Sequence, residues 1–177
     1  MNVRSLAVWL AMSFLAACPG CGSRPAASSA TNVPIKLLPT LHLDQAQPRL
    51  QTMKLWLGPQ ELTAELAFTQ TEVATGMMFR KEMAETEGML FIFPRPHQTS
   101  FYMKNTILPL SCAYLDSEGI ILELHDLKPL NEEPVPASSD KVQYVLETRQ
   151  GWFGRNKVGV GSLVRTERGS LQETFFK

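Results

Sequence analysis

Past residue 50 the apolar and polar positions take on the period of strands. Met53, Leu55 and Leu57 alternate with Lys54 and Trp56. After Gly58-Pro59 the alternation resumes as Leu62, Ala64, Leu66 and Phe68, so two strands joined by a Gly-Pro turn are predicted. Thr69-Gln70-Thr71-Glu72 is a capping-box pattern. It opens a helix predicted to run through Val73, Met77 and Met78 toward Arg80 and Met83. Gly76 lies inside that helix at a cost of about 1 kcal/mol against alanine, which marks close backbone packing or a local break. The unbroken apolar run Gly88-Met89-Leu90-Phe91-Ile92-Phe93 is ended by Pro94-Arg95-Pro96 and predicts a strand buried on both faces, then a loop.

Residues 100–104, 110–115 and 120–127 read as further strands. The last two form a hairpin through Asp116-Ser117-Glu118-Gly119, whose glycine suits a left-handed turn position. A Pro-rich loop spans 129–136. Strands at 141–148 and 158–165 complete the set, with a turn or single helical turn at 151–156 between them. About seven short strands and one short helix predict a mainly β (β-rich α+β) domain, a small antiparallel barrel or sandwich.

The first fifty residues follow a different pattern. One charge at Arg4 precedes an apolar run over 6–17, too short for the roughly 20 residues of a bilayer-spanning helix and closed by small residues that a signal peptidase accepts. Leu15-Ala16-Ala17-Cys18 resembles the lipobox of bacterial lipoproteins, which predicts residues 1–17 as a lipoprotein signal peptide and Cys18 as the lipidated first residue of the mature chain. The chain is then expected at the cell envelope, anchored in a membrane and facing the periplasm or the exterior. Pro19, where an inner-membrane lipoprotein would typically carry aspartate, points to an outer membrane in a two-membrane cell. Residues 18–50 are rich in Ser, Ala, Pro and Thr and are expected as a flexible tether, with 51–177 as a single β-rich domain.

Charge narrows the partners. Seventeen basic residues balance seventeen acidic ones, and no run of five or six like charges occurs, so nucleic-acid binding is not expected. Cys18-Pro19-Gly20-Cys21 has C-x-x-C spacing, but no strand precedes it and lipidation would consume the first sulfur, so a redox role is not favoured. Cys112 sits in an apolar strand and reads as a small buried hydrophobe. His42, His97 and His125 are far apart without metal-ligand spacing, so neither a metal site nor a cofactor is expected.

Several blocks match a known pattern in order and spacing. Thr75-Gly76-Met77-Met78-Phe79-Arg80, Glu87 through Phe93, Phe101-Tyr102-Met103-Lys104-Asn105-Thr106, Pro109-Leu110, and Val145-Leu146-Glu147 with Gly151 together resemble the family called domain of unknown function 192. The resemblance spans about residues 50–166. It implies a β-rich single domain, often exported or membrane-tethered, with no established activity. Ser111 and Ser162 stand where the family commonly has aspartate, which removes two carboxylates.

Arg80, Asn105, Thr106 and Glu147 are the candidate ligand-binding residues. A guanidinium fork suits an anion or sugar, while an amide and a hydroxyl beside it would orient a small polar ligand. The competing reading makes Arg80 an ion pair with Glu147 or another acid, locking helix to sheet. Phe101, Tyr102, Trp152 and Phe153 offer either a stacking surface or core. No nucleophile and base stand together, so no catalytic residue is assigned. Non-catalytic binding of a small polar ligand, envelope glycan or protein partner leads. A hydrolase of envelope carbohydrate using Glu147 or an acid among Asp116, Glu118, Glu123 and Asp126, or a purely structural role, are the alternatives.

Overall fold

The computed structural model describes residues 41–177. The leader, the lipobox, Cys18, Cys21 and most of the expected tether lie outside the described residues. Strand β1 (Thr52–Leu57) and strand β2 (Gln60–Ala67) form the first hairpin, with Leu57 opposite Gln60. Helix α1 (Gln70–Thr75) starts on its capping box: Thr69 Oγ1 accepts from the Glu72 N–H at 3.2 Å, and the Glu72 carboxylate accepts from the Thr69 N–H at 2.8 Å. Strand β3 (Glu87–His97) then pairs parallel to β2, Ala64 opposite Gly88. Residues 68–86 supply more than the dozen or so residues that a parallel crossover needs.

After strand β4 (Ser100–Phe101) come strand β5 (Leu110–Leu115) and strand β6 (Ile121–Leu127), the expected hairpin. Strand β7 (Val135–Pro136) pairs with β4. Strand β8 (Val142–Arg149) inserts between β3 and β5. Helix α2 (Trp152–Arg155), strand β9 (Val164–Thr166), strand β10 (Gly169–Ser170) and helix α3 (Leu171–Phe175) finish the chain. The main sheet has the order β10-β9-β1-β2-β3-β8-β5-β6. Its alternating side chains feed two cores. Leu66, Leu90, Leu146 and Ala113 face one, which α2 and α3 cover with Trp152, Phe153 and Leu171. Met89, Phe91, Val145 and Cys112 face the other, covered by Met77, Met83 and Met103.

The mainly β fold is as the periodicity predicts, and several details differ. The sheet does not close into a barrel: one isolated bridge, Ile120 with Leu163, joins its curled ends. The sheet is mixed, because β2 and β3 run parallel. Ten strands and three helices are present among the described residues. Last, residues 43–50 are held against the domain by hydrogen bonds: the Leu43 N–H donates to Thr75 Oγ1 at 3.1 Å, Gln47 Nε2 donates to the carbonyls of Glu72 and Gly76 at 3.2 and 2.9 Å, and the Leu50 N–H donates to Glu65 at 2.7 Å.

The predicted helix also stops early. Gly76 has φ +46°, and a Cβ there would lie 3.2 Å from the Phe91 ring, so the local break and the close packing are one feature. In β3, Pro94 and Pro96 fall where the register to β8 shifts between Ile92 and His97. Proline lacks the ladder donor and is tolerated in such a gap.

Candidate functional site

Strand register sets Glu65, Met89, Glu147, Cys112 and His125 side by side across β2, β3, β8, β5 and β6. Residues opposite one another in a sheet share a face, so this row lies on the side of the second core. Glu147 is its centre and is 4% exposed. Burial alone pushes its carboxyl up to about 8, with no cation or hydrogen bond among the described residues to oppose desolvation. The neighbouring Cys112 thiol is pushed up by burial and then by the charge of Glu147.

Over Glu147 opens a cavity of about 210 Å³. Its walls come from the end of α1 and the turn after it, from β3, and from residues 99–102. Met77, Met78, Phe91, Phe93 and Phe101 make them apolar, with Tyr102 beside them and Thr106 and Glu147 among the polar groups. Phe91 and Phe101 pack edge to face with ring centroids 4.8 Å apart, a favoured aromatic geometry. Thr106 donates its hydroxyl to the Lys104 carbonyl at 3.1 Å, leaving oxygen lone pairs as its free capacity.

Two strained turns support these walls. Phe79 and Asn105 both have left-handed backbone, φ 62° and 54°, which costs a non-glycine residue on the order of 1 kcal/mol. They are joined directly, the Phe79 N–H donating to the Asn105 carbonyl at 2.8 Å. Asn105 Nδ2 also approaches Met78 Sδ at 3.9 Å. The turn that presents Met77 and Met78 is thus tied to the turn that presents Thr106.

The four candidate residues divide. Thr106 and Glu147 line the cavity, and Asn105 braces it through its backbone. Arg80 does not line it: Arg80 Nη2 donates to Glu65 Oε2 at 2.9 Å and to the Pro48 carbonyl at 3.3 Å, the side chain only 11% exposed. The acid partner of Arg80 is Glu65, not Glu147. Arg49 adds a second pairing to Glu65 at 3.0 Å and reaches Glu87 at 3.2 Å.

The aromatic candidates split as well. Phe101 and Tyr102 reach the cavity, whereas Trp152 and Phe153 are buried in the first core. The hairpin acids do not converge. Asp116 Oδ1 accepts from the Glu118 and Ile120 N–H groups at 3.0 and 2.9 Å. Glu123 accepts from the Ser138 N–H at 2.8 Å and lies 3.1 Å from His125 Nε2. Asp126, an odd number of residues from Glu123, takes the hydroxyl of Ser111 on the other face. Ser111 in turn accepts the Gly151 N–H at 2.8 Å, so Asp126 supplies a carboxylate beside the position where the family commonly has one. Ser162 caps a turn, accepting the Gly159 N–H at 3.1 Å. Among the described residues no three His, Cys, Asp or Glu side chains are placed to hold a metal, and no helix is long and apolar enough to cross a membrane.

Sequence reasoning missed Met77, Met78 and Phe93 as cavity walls. The signal was the Gly76 break, which turns those methionines off the helix and over the sheet.

Comparison with known proteins agrees with this architecture. The family described as DUF192, Uncharacterized ACR, matches residues 53–166. A crystal structure from Sinorhizobium meliloti 1021, of a protein provisionally assigned as a transcription regulator, is 31% identical with a TM-score of 0.65, covering 68% of this chain and 98% of that one. A protein of unknown function from Novosphingobium aromaticivorans DSM 12444 is 30% identical with a TM-score of 0.63, covering 66% of this chain and 86% of that one. No curated protein matches.

Proposed function

Starting from the premise that the chain belongs to the DUF192 family, we propose that its domain is a non-catalytic binding module that receives a small ligand in the cavity over Glu147. The observation that carries this reading is a carboxylate, buried in the sheet and facing the cavity, that has no partner of its own among the described residues. Native proteins rarely leave such a group unpaired, because desolvating a charge without compensation is expensive. A ligand that completes its hydrogen bonding removes that cost. The apolar walls supply the burial typical of small-molecule sites, and the few polar groups supply orientation.

A general acid is the role in which a carboxyl pushed up to about 8 would favour an enzyme. Hydrolysis of a glycoside ordinarily needs a second carboxylate across the scissile bond, and among the described residues none lines this cavity. That weighs toward binding rather than turnover.

The envelope setting belongs to the same proposal. Cys18 carries the lipid, and the ligand is met outside the cytoplasm. The N-terminal peptide of the membrane fraction should have the mass of a diacylglyceryl-modified Cys18, and Cys18→Ser should release the protein from membranes. A bare thiol at residue 18 in the native protein would sink the anchor.

Binding is tested by fragment screening with methyl-labelled methionine. Hits should shift Met77 and Met78 together. A screen without hits, or hits that leave both methyls unmoved, would overturn the cavity as the site.

A further inference from the structure

Resting on the binding role just proposed, we infer that the ligand class is a small ammonium compound bearing an aromatic or compact apolar group, with Glu147 as its counter-charge and Phe91, Phe101 and Tyr102 as its aromatic wall. The lining sets the sign. Among the described residues it contains no Lys, Arg or His, and its one carboxylic acid is Glu147. The nearby guanidinium of Arg80 is engaged by Glu65, so an anionic ligand would meet a carboxylate without a cation to offset it. Thr106 has spent its hydroxyl proton on the Lys104 carbonyl and offers lone pairs. Both Glu147 and Thr106 thus offer acceptors, which suit the N–H donors of an ammonium head, while the remaining hydroxyls of the lining, those of Thr75, Thr99, Ser100 and Tyr102, can turn to either role.

The walls set the rest. Phe91, Phe101 and Tyr102 are among the lining residues, and an aromatic face attracts a cation within about 6 Å, more strongly where water is excluded. Met77 and Met78 add polarizable thioether surface that adapts to an irregular guest. The volume, about 210 Å³, exceeds the roughly 150 Å³ of an apolar cavity that accepts benzene, so a one-ring amine fits. Glu147 being readily protonated when the cavity holds no cation is consistent with this: the proton occupies the place of the missing counter-charge and leaves as the ammonium enters.

The test uses three probes with one ring and different heads: 2-phenylethylamine, 2-phenylethanol and phenylacetate, titrated calorimetrically into the purified wild-type protein at neutral pH. The amine should bind about tenfold or more tighter than the alcohol, a difference of about 1.4 kcal/mol, and phenylacetate should not bind. Glu147→Gln, which keeps the shape and removes the charge, should abolish the preference for the amine over the alcohol. The wild-type series is decisive without the variant. If the alcohol or phenylacetate binds as tightly as the amine, the ammonium assignment fails while the cavity stands as a small-ligand site. An amine preference that survives in Glu147→Gln overturns the role of Glu147. Failure of all three probes overturns the ligand class, while the cavity reading is decided separately by the fragment screen on Met77 and Met78.

Discussion

Phe79 and Asn105, twenty-six positions apart in the chain, hold each other in left-handed backbone through one hydrogen bond of 2.8 Å. Asparagine tolerates this region better than other non-glycine residues, and β-branched residues tolerate it least. Asn105→Gly should therefore leave stability within about 0.5 kcal/mol of wild type, the relief of strain offsetting the lost contact to Met78. Asn105→Val should cost about 2 kcal/mol. Urea titration of the two variants decides it, and equal costs would show that backbone conformation is not what position 105 is selected for.

The Arg80 guanidinium supports a buried acid. Glu65 accepts from Arg80, Arg49 and the Leu50 N–H, and of the two arginines only Arg80 is itself mostly buried. Removing one partner of such a pair strands the other charge, so Arg80→Ala should cost about 3 kcal/mol. Arg80→Met combined with Glu65→Gln should recover at least half of that, because the stranded charge is gone. A double-mutant cycle that finds the two sites additive would refute the coupling.

Glu147 gives stability a pH dependence of unusual sign. Its carboxyl ionises near 4.5 in the unfolded chain and near 8 in the folded one, so across that window the folded state holds the extra proton. Stability should fall as pH rises from about 4.5 to about 8, by on the order of 5 kcal/mol if Glu147 acts alone, and level off above. On the same face, burial pushes the Cys112 thiol and the Tyr114 hydroxyl up, so both stay neutral through the window and add no slope. Burial pushes Glu123 upward too, but His125 and the Ser138 N–H outweigh it and hold Glu123 low, which places its own loss at the acid end. The difference between wild type and Glu147→Gln, measured by denaturation from pH 5 to 8, isolates the effect. Parallel curves would exclude it.

Cys112 is fully buried, and burial before all else suppresses its thiolate. Alkylation proceeds through the thiolate and needs access. Under native conditions the Cys112 peptide should stay unmodified by iodoacetamide for as long as the sheet stays closed, and label at once in denaturant. Prompt labelling in the folded protein would reveal an opening of β5 that its position between β8 and β6 argues against.

The fold was readable where one residue type answers one local requirement. Thr69 and Glu72 announce α1, and Gly119, at φ 87° with the Val164 carbonyl only 2.8 Å from where a Cβ would sit, announces the β5–β6 turn. The same logic was available for α3, where Ser170 and Glu173 form a second capping box, yet five residues carry too little apolar period to be noticed. The stretch 158–165 reads as one strand because Val158, Val160 and Val164 suit one. Gly161 at φ 85° and the turn capped by Ser162 shorten it to Val164–Thr166. The cavity was only half legible. Thr106 and Glu147 stand out as polar residues in apolar surroundings, but which acid takes Arg80 depends on a register that brings Glu65 and Glu147 to opposite sides of Met89, and no local pattern encodes that.

Gln47 binds the carbonyls of Glu72 and Gly76, and the Leu43 N–H binds Thr75, so the strand of chain entering the domain grips the very helix end that roofs the cavity. Any pull arriving from the N-terminal side is borne there first, before it reaches the sheet. Were the protein moored at its amino end, tension on the mooring would loosen the roof while the floor stayed firm, making the hold on a guest responsive to mechanical load.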